Sequence, residues 1–444
     1  MILEVSSKPR GRKLPRFFIS LIFPVVLIAA SAGCGAYKGN QVSIAKPPAG
    51  GYELIVNGVP LYIQGVGVGE GWGKEGENYL ALARELGANT VRTWGVDQGT
   101  QKYLDEAHRQ GLFVFAGIWI NFTDKKQGVC YTGGCEERLK AKEKEALDYV
   151  RAFKDHPAVI AWNVGNECLF FTKDENEKIA LAQFIEKLIV QIKKIDPHHP
   201  VVYASVNTLD LKYLKKYVPS LDIVGMNIYG SVIGSQSGWT GLSFDKPYVV
   251  TEFGPLGPWD LPKDQHGKMV ELSDYVKAGQ YKTHWSLIRE RRGKNIGGFV
   301  FHLGETSQES LTMWNLNDGV LKKEPFVVMQ KFYGAAKEPL DHAPKIRSFQ
   351  GVPPIVSPGQ DFDVRVAAED PEGSDLSYEF KASSAAQDVL QYYVNEEVPL
   401  EVKGKGPNVT ILAPQKPGIY RIYAFVRDTM GRSSSANDTM EVEG

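Results

Sequence analysis

The hydrophobic positions of this 444-residue chain change their spacing along its length. Between about residues 52 and 336, short apolar runs alternate with longer stretches whose apolar residues recur every three to four positions, as in amphipathic helices. The runs are 62–68, 89–94, 112–120, 159–167, 201–206, 222–229, 248–253 and 298–303, and the helical stretches include 78–86, 100–110, 136–154, 176–195 and 273–291. Strands that alternate with crossovers in this way predict an α/β fold, a TIM (β/α)8 barrel rather than an open sheet.

The pattern changes after the barrel. Residues 341–444 contain alternating strands at 362–368, 376–381, 408–412 and 420–427, with turn sequences such as Asp370-Pro371-Glu372-Gly373 between them. Strands at this spacing without helices predict an all-β, Ig-like sandwich. The segment resembles modules of the polycystic-kidney-repeat or cadherin-like type. Such a module binds carbohydrate, binds calcium or only spaces the barrel from the cell surface, and we favour the spacer.

The N-terminus has the pattern of an export signal, residues 1–34. A basic run is followed by the uncharged apolar stretch 17–33 and then by Cys34. Ser31-Ala32-Gly33-Cys34 resembles a bacterial lipobox, which implies a lipidated Cys34 and a membrane-anchored lipoprotein of the bacterial cell envelope. An ordinary cleaved signal and an uncleaved anchor remain alternatives. Residues 35–51, rich in Gly, Pro, Ser and Lys, predict a tether.

Composition and charge narrow the range of partners. With 43% hydrophobic residues and a formal net charge of −1, the chain is globular and gives no electrostatic reason to expect nucleic acid or a polyanion. We therefore expect a neutral substrate. Cys130 and Cys135 can form a small disulfide loop in an oxidising compartment. No Cys/His spacing resembles a zinc site, Cys168 is expected to pack as an apolar residue, and we expect neither metal nor cofactor.

Two of the predicted strands end in a carboxylate, Glu167 on the fourth and Glu252 on the seventh. A TIM barrel carries its chemistry at the C-terminal ends of its strands, where these two side chains would face each other. A buried carboxylate is costly unless it is paired or used, so an ion-pair role is the alternative. A retaining glycosidase needs two carboxyls about 5–5.5 Å apart, and the pattern therefore predicts glycoside hydrolysis.

Four segments resemble those of glycoside hydrolase family 2, which includes β-galactosidases, β-mannosidases and β-glucuronidases. Residues 156–167 resemble its acid/base segment, 246–254 its nucleophile segment, 56–61 the start of its barrel and 89–93 its second strand. The resemblance implies a catalytic domain over residues 52–336. It also implies that Glu167 is the acid/base and Glu252 the nucleophile. Asn166 would donate to the sugar 2-hydroxyl, Arg92 would hold the nucleophile ionised, and Tyr229 would hydrogen-bond it.

The sequence departs from the family pattern in two ways. The sugar-binding sandwich that the family carries before its barrel does not appear, and Phe301-His302 stands where many relatives place Trp at the eighth strand. Trp314 could substitute for that ring. These departures make an open cleft for a polysaccharide at least as plausible an expectation as an exo-acting pocket.

Aromatic rings near the strand ends predict sugar-binding platforms, because the C–H face of a pyranose stacks on them. We expect Trp94, Trp119 and Trp239 to serve in this way and His302 to hydrogen-bond the sugar, although each could equally be a core residue. The expected partners are thus a β-linked oligo- or polysaccharide and, through the lipid anchor, a membrane.

Two alternatives to a retaining β-glycoside hydrolase remain. A cell-surface β-glucan transglycosylase, resembling fungal β-1,3-glucanosyltransferases, would use the same carboxylates. A non-catalytic carbohydrate-binding lipoprotein would be expected to lack one of them. A metal-dependent barrel hydrolase is excluded, because runs 62–68 and 201–206 hold no His or Asp.

Overall fold

The computed structural model describes residues 39–444 except 96, 98, 231–243, 292, 307, 385–387, 390–391 and 394. The predicted export signal, Cys34 and Trp239 therefore lie outside the described residues. Among the helices within the described ranges, none combines the length and the hydropathy needed to cross a membrane.

Eight parallel strands close into a barrel in which sequence neighbours pair and the last strand pairs with the first. They are β4 (Ile63–Val68), β5 (Thr90–Arg92), β6 (Phe113–Ile118), β7 (Val159–Asn166), β8 (Val201–Val206), β9 (Ile223–Tyr229), β10 (Tyr248–Gly254) and β11 (Asn295–Leu303). The predicted TIM barrel is confirmed. Every predicted run overlaps one of these strands, because strands buried on both faces are almost uniformly apolar and stand out in the sequence.

Helices connect the strands and cover the outside of the barrel. They are Tyr79–Leu86, Thr100–Arg109, Glu136–Phe153, Cys168–Phe171, Glu175–Ile195, Leu211–Tyr217, Asp274–Glu290 and Glu324–Phe332, with a 3₁₀ turn at Lys125–Gln127. The five predicted helices are all present. Two of them begin where the pattern starts because Asp174 and Ser273 cap their first turns.

The N-terminal end of the barrel is covered by a small antiparallel sheet of β1 (Val42–Ala45), β2 (Glu53–Val56) and β3 (Val59–Leu61). This sheet lies partly within the predicted tether, 35–51, so the described part of that segment is not a free linker. The side chain of Asn40 donates hydrogen bonds to the carbonyls of Pro157 and Val159, both at 2.8 Å. Val42 and Ile44 pack against the core at the barrel floor, an alternation that the surrounding Lys and Pro residues obscure in the sequence.

The C-terminal residues form the predicted β-sandwich. One sheet has the order β14-β16-β22-β21 and the other β15-β24-β23-β17-β20, while β18 pairs with β19. Both sheets contribute to one hydrophobic core that includes Val364, Ile411, Ile422 and Met440. The strands are β14 (Lys345–Gln350), β15 (Ile355–Val356), β16 (Asp361–Glu369), β17 (Ser377–Ser384), β18 (Asp388–Val389), β19 (Tyr392–Tyr393), β20 (Glu397–Val398), β21 (Glu401–Lys403), β22 (Asn408–Leu412), β23 (Gly418–Arg427) and β24 (Ser433–Val442).

The sandwich docks on loops at the C-terminal mouth of the barrel. These loops follow β10 and β11, and the second includes a hairpin of β12 (Asn317–Asp318) and β13 (Leu321–Lys322). Ser435 of β24 donates its backbone N–H to Asp274 at 2.9 Å and accepts from Lys323 at 2.7 Å. Barrel and sandwich belong to one compact unit, so the sandwich has a fixed position beside the barrel mouth.

Candidate active site

Glu252 lies near the C-terminal end of β10, where the strand pairing with β9 shifts register between Val250 and Glu252. Such a bulge re-aims a side chain at a barrel rim. The carboxylate is only 6% exposed and accepts three hydrogen bonds. Arg92 Nη1 donates at 2.6 Å, Trp94 Nε1 at 2.8 Å and Tyr229 OH at 2.6 Å. These donors stabilise the negative charge of a carboxylate that burial would otherwise disfavour.

Arg92, at the end of β5, connects Glu252 to the fourth barrel strand. Its guanidinium is fully buried and donates through Nη2 to Asn166 Oδ1 at 2.8 Å and through Nη1 to the carbonyl of Thr251 at 3.1 Å. Because the guanidinium fork is planar and rigid, it fixes the positions of Glu252 and Asn166 relative to each other.

Glu167 follows directly after β7 and has a left-handed backbone conformation with φ 56°, two residues after Gly165 with φ 82°. The pairing of β7 with β8 shifts register between Asn163 and Asn166, so this rim also carries a bulge. The Glu167 carboxyl accepts a hydrogen bond from Asn227 Nδ2 at 2.8 Å. Burial, followed by the nearby charge of Glu252, raises the pKa of Glu167 to about 8. Glu167 is therefore mainly protonated at neutral pH.

Asn227 on β9 joins the two carboxyl groups into one network, and the sequence reasoning did not single it out. Its amide donates to Asn166 Oδ1 at 3.0 Å as well as to Glu167, and its oxygen accepts from Thr251 Oγ1 at 2.7 Å. Since Asn166 Oδ1 accepts from both Arg92 and Asn227, its own amide N–H groups are left as donors toward the cleft. The sequence does carry a signal for Asn227, because it is a polar residue within the apolar run of β9.

Comparison with known families agrees with the sequence resemblance. Residues 51–255 match the family model described as glycosyl hydrolases family 2, TIM barrel domain. These residues are thus similar to the barrel domain of family 2. The match includes both strands that carry the carboxyl groups.

The curated relatives that this chain resembles are larger proteins, and the chain matches only part of each. The chain is 22% identical over 357 residues to the β-glucuronidase of Felis catus, covering 73% of this chain and 52% of that protein. It is 27% identical over 318 residues to the Sus scrofa β-glucuronidase, covering 64% and 46%. The chain thus spans about half the length of the curated relatives it matches.

Two solved structures share the fold. A family 2 β-galacturonidase from Eisenbergiella tayi superposes with a TM-score of 0.51 at 18% identity, covering 67% of this chain and 54% of that one. A β-glucuronidase from Ruminococcus gnavus gives 0.52 at 15% identity, covering 66% and 53%. At these identities the likeness extends to the fold alone.

The carboxyl groups of Glu167 and Glu252 open into a cleft of about 1730 Å³ at the barrel mouth. Trp94 and Trp119 line it, as does Trp314, whose ring lies 5.0 Å from that of Tyr229. Trp314 thus occupies the region where the sequence suggested a replacement ring. Trp94 also donates its Nε1–H to Glu252, a contact that the predicted platform role does not require.

His302 also lines the cleft, beside Trp94. Burial lowers the pKa of His302 to about 4, so the ring is neutral at neutral pH. A neutral imidazole can donate a hydrogen bond to a sugar hydroxyl or accept one from it, but it offers no positive charge.

The three cysteines within the described residues offer no nucleophile to the cleft. Cys130 and Cys135 form a disulfide, and Cys168 is buried with its pKa raised to about 12 by desolvation. A thiol with so high a pKa is a poor nucleophile. Within the described ranges, no group of three or more His, Cys, Asp and Glu side chains is arranged to hold a metal ion.

Proposed function

We propose that this chain is a retaining β-glycoside hydrolase, with Glu252 as nucleophile and Glu167 as general acid and base. One observation carries the proposal: two carboxyl groups at the mouth of one barrel share a hydrogen-bonded network in which Glu252 faces a buried guanidinium and Glu167 accepts one amide N–H. Glu252 accepts three donors, and Glu167 keeps its proton to about pH 8. A retaining mechanism needs this division between an anion and an acid.

In the first step, Glu252 Oε attacks the anomeric carbon while Glu167 passes its proton to the departing glycosidic oxygen. The bond from carbon to that oxygen breaks and a glycosyl ester forms on Glu252. Asn166, held through its oxygen by Arg92 and Asn227, presents its amide N–H groups where a sugar 2-hydroxyl can accept them. Such a hydrogen bond strengthens as the transition state forms.

In the second step, the roles of Glu167 reverse. Having lost its proton, it takes one from a water molecule that attacks the anomeric carbon, and the ester bond to Glu252 breaks. Glu252 leaves as a carboxylate, and the contacts from Arg92, Trp94 and Tyr229 stabilise that leaving group. Two inversions at the same carbon preserve the β configuration.

The match to the family 2 barrel model supports a β-linked substrate. The curated relatives are named β-glucuronidases and one structural neighbour is a β-galacturonidase, so uronides belong in the first substrate panel with neutral β-glycosides. The open cleft has room for more than one sugar unit, which supports action on an oligo- or polysaccharide.

Two substitutions test the assignment on aryl β-glycosides and on unactivated substrates. Glu252→Gln should abolish turnover. Glu167→Ala should lower kcat/KM on unactivated substrates by about 10²–10⁴-fold and spare activated aryl glycosides, whose leaving groups need no proton. Azide should restore its rate, because azide attacks the glycosyl ester without a general base.

Glu70→Gln is the matched control, since Glu70 lies in the same cleft wall and is exposed. It should retain wild-type activity. Wild-type activity of Glu252→Gln or Glu167→Ala on an unactivated substrate would show that the assigned carboxyl is not catalytic.

We also propose that the chain is exported and held at a membrane by a lipid on Cys34. The support is the order of basic run, apolar stretch and small residues before that cysteine. Cys34→Ser should move the protein from the membrane to the soluble fraction of expressing bacteria. Unchanged fractionation would argue against lipidation at this residue.

A further inference from the structure

The cleft does not end at the barrel. Its wall continues onto one face of the sandwich, where Glu379 and Lys381 of β17, Glu397 of β20, and Phe425 and Arg427 of β23 line it. Alternate residues of a strand point to opposite faces of the sheet. Glu379 pairs with Phe425 across the two strands, so these side chains share the face turned away from the sandwich core.

An unbroken series of ion pairs runs along this wall from the barrel onto the sandwich. Arg427 Nε lies 2.7 Å from Asp318 of the β12–β13 hairpin, and Arg427 Nη2 lies 2.6 Å from Glu379. Lys381 Nζ continues the series, at 3.9 Å from Glu379 and 3.7 Å from Glu397. We call these five residues (Asp318, Arg427, Glu379, Lys381 and Glu397) the charged strip.

Phe425 lies beneath the charged strip. Lys381 Nζ is 5.7 Å and Arg427 Cζ 5.8 Å from the centre of its ring, and the side chain is only 5% exposed. The ring and the cations above it hold one another in place. The surface presented to the cleft is therefore ordered and dense in hydrogen-bonding groups.

Part of the charged strip has no role in joining the two domains. The contact of Arg427 with Asp318 links sandwich to barrel, but Lys381 forms its ion pairs with Glu379 and Glu397 within the sandwich. Exposed ion pairs of this kind contribute about 0–1 kcal/mol to stability. Folding alone therefore gives a weak reason for placing them along the cleft.

We propose that the charged strip is a distal sugar-binding subsite, which holds units of a glycan whose scissile bond lies between Glu167 and Glu252. The inference rests on the proposed function. It follows from the continuity of the cleft and from the docking of the sandwich at the barrel mouth through the buried Asp274–Ser435–Lys323 contacts. Hydroxyl groups of a sugar suit both the carboxylates and the cations of the strip.

The units bound there are uncharged. Both cations of the charged strip already face carboxylates, and the strip contains three acids against two bases. A uronate or sulfate group would have to displace an acid from its partner, at the cost of leaving that acid unpaired.

The test compares Lys381→Ala with Lys403→Ala in the full chain. Lys403 forms a similar exposed ion pair with Asp361 on the other sheet of the sandwich, outside the cleft wall. The probes are aryl β-monoglycosides and cello-, manno- and laminari-oligosaccharides of increasing length. For Lys381→Ala we expect KM to rise about tenfold on the longest productive oligosaccharide, with kcat unchanged and no effect on the monoglycoside. Lys403→Ala should match the wild type on all probes.

The distal subsite is wrong if Lys381→Ala and Lys403→Ala behave alike on every chain length, or if no oligosaccharide series gains affinity with length. Calorimetric binding of the same series to Glu252→Gln separates this failure from a failure of the proposed function. Absent turnover together with binding that weakens on adding Lys381→Ala would overturn the hydrolase and retain the subsite. Turnover by the wild type, together with binding that Lys381→Ala leaves unchanged, would retain the hydrolase and overturn the subsite.

Discussion

Glu167 and Glu252 are the same residue type in one cleft, but their carboxyl groups have different hydrogen-bond donors. Glu252 accepts hydrogen bonds from the guanidinium of Arg92, the indole N–H of Trp94 and the phenol of Tyr229. Glu167 accepts one, from the amide N–H of Asn227. Hydrogen-bond donors and nearby positive charge favour the charged form of a carboxyl group, and Glu252 has more of both than Glu167. The burial that raises the pKa of Glu167 is opposed by the Asn227 hydrogen bond, which favours the carboxylate form.

The first prediction concerns pH. Because Glu167 must carry its proton to act as an acid, kcat/KM should fall as the pH rises through about 8. Asn227→Ala removes a hydrogen bond that favours the ionised form, so the pKa of Glu167 rises further and the alkaline limb moves to higher pH. The pH profile of kcat/KM on an unactivated substrate measures the shift.

Asn207→Ala is the control for that profile, since Asn207 lines the same cleft beyond β8. It should leave the alkaline limb in place. A limb that stays fixed in Asn227→Ala, or moves to lower pH, would show that Glu167 is not the group that titrates.

At the scale of the elements, irregularities in two barrel strands orient the carboxyl side chains toward the cleft. β7 and β10 both shift register just before their carboxylates, and Gly165 adopts φ 82° within the first of these bulges. A Cβ at Gly165 would lie 3.2 Å from Cys168 Sγ and from the Tyr203 ring. Glycine at this position therefore permits the turn that brings Glu167 toward the cleft.

Gly165→Ala should lose both stability and activity. The left-handed conformation costs a residue with a Cβ about 1–2 kcal/mol, and the crowding displaces Glu167. A displacement of about 1 Å can lower kcat by about 100-fold. Denaturant unfolding and kcat on an aryl glycoside measure the two effects.

Gly58→Ala is the control that separates the cost of a left-handed backbone from the displacement of Glu167. Gly58 has the same φ of 82° in the turn between β2 and β3, and a Cβ there would meet no atom within 4 Å. This variant should lose a similar amount of stability and retain full activity. Equal losses of kcat in both variants would contradict the role given to the β7 bulge.

The elements also show how far the sequence could lead. All eight barrel strands and the two carboxylates could be predicted, because buried parallel strands are apolar and a charged residue at their ends is conspicuous. Asn227 and the donor role of Trp94 could not, because they depend on which strands become neighbours in the closed barrel.

At the scale of the whole molecule, the sandwich is in direct contact with the barrel, and whether it also spaces the barrel from the cell surface stays a prediction. Polar groups along β23 and β24 contact the barrel loops. No periodic pattern reveals such an interface, because the docking side chains are Ser, Asn and Arg, which are typical of exposed strand faces. The sandwich thus forms part of the cleft wall.

The buried charges at this junction should dominate its stability. Asp274 is 3% exposed, lies 3.4 Å from Lys277 and 3.6 Å from Lys323, and accepts from Ser435. Asp274→Ala leaves these cations short of a partner in a buried site, which should cost about 3–5 kcal/mol in the free energy of unfolding. Chemical denaturation of the full chain measures it.

Asp361→Ala is the matched control, because Asp361 forms an exposed ion pair with Lys403 in the same sandwich. It should cost at most about 1 kcal/mol. Similar losses in the two variants would mean that the junction is not the rigid contact inferred from the Asp274 network.

The stereochemistry of the first product tests the central claim most directly, that Glu167 and Glu252 act on one anomeric centre as acid and nucleophile. Proton NMR during hydrolysis of a β-glycoside by the wild-type chain should show the β-anomer of the released sugar first, with the α-anomer growing only by mutarotation. Initial release of the α-anomer would contradict the account, because a single displacement by water would then have taken the place of the Glu252 ester.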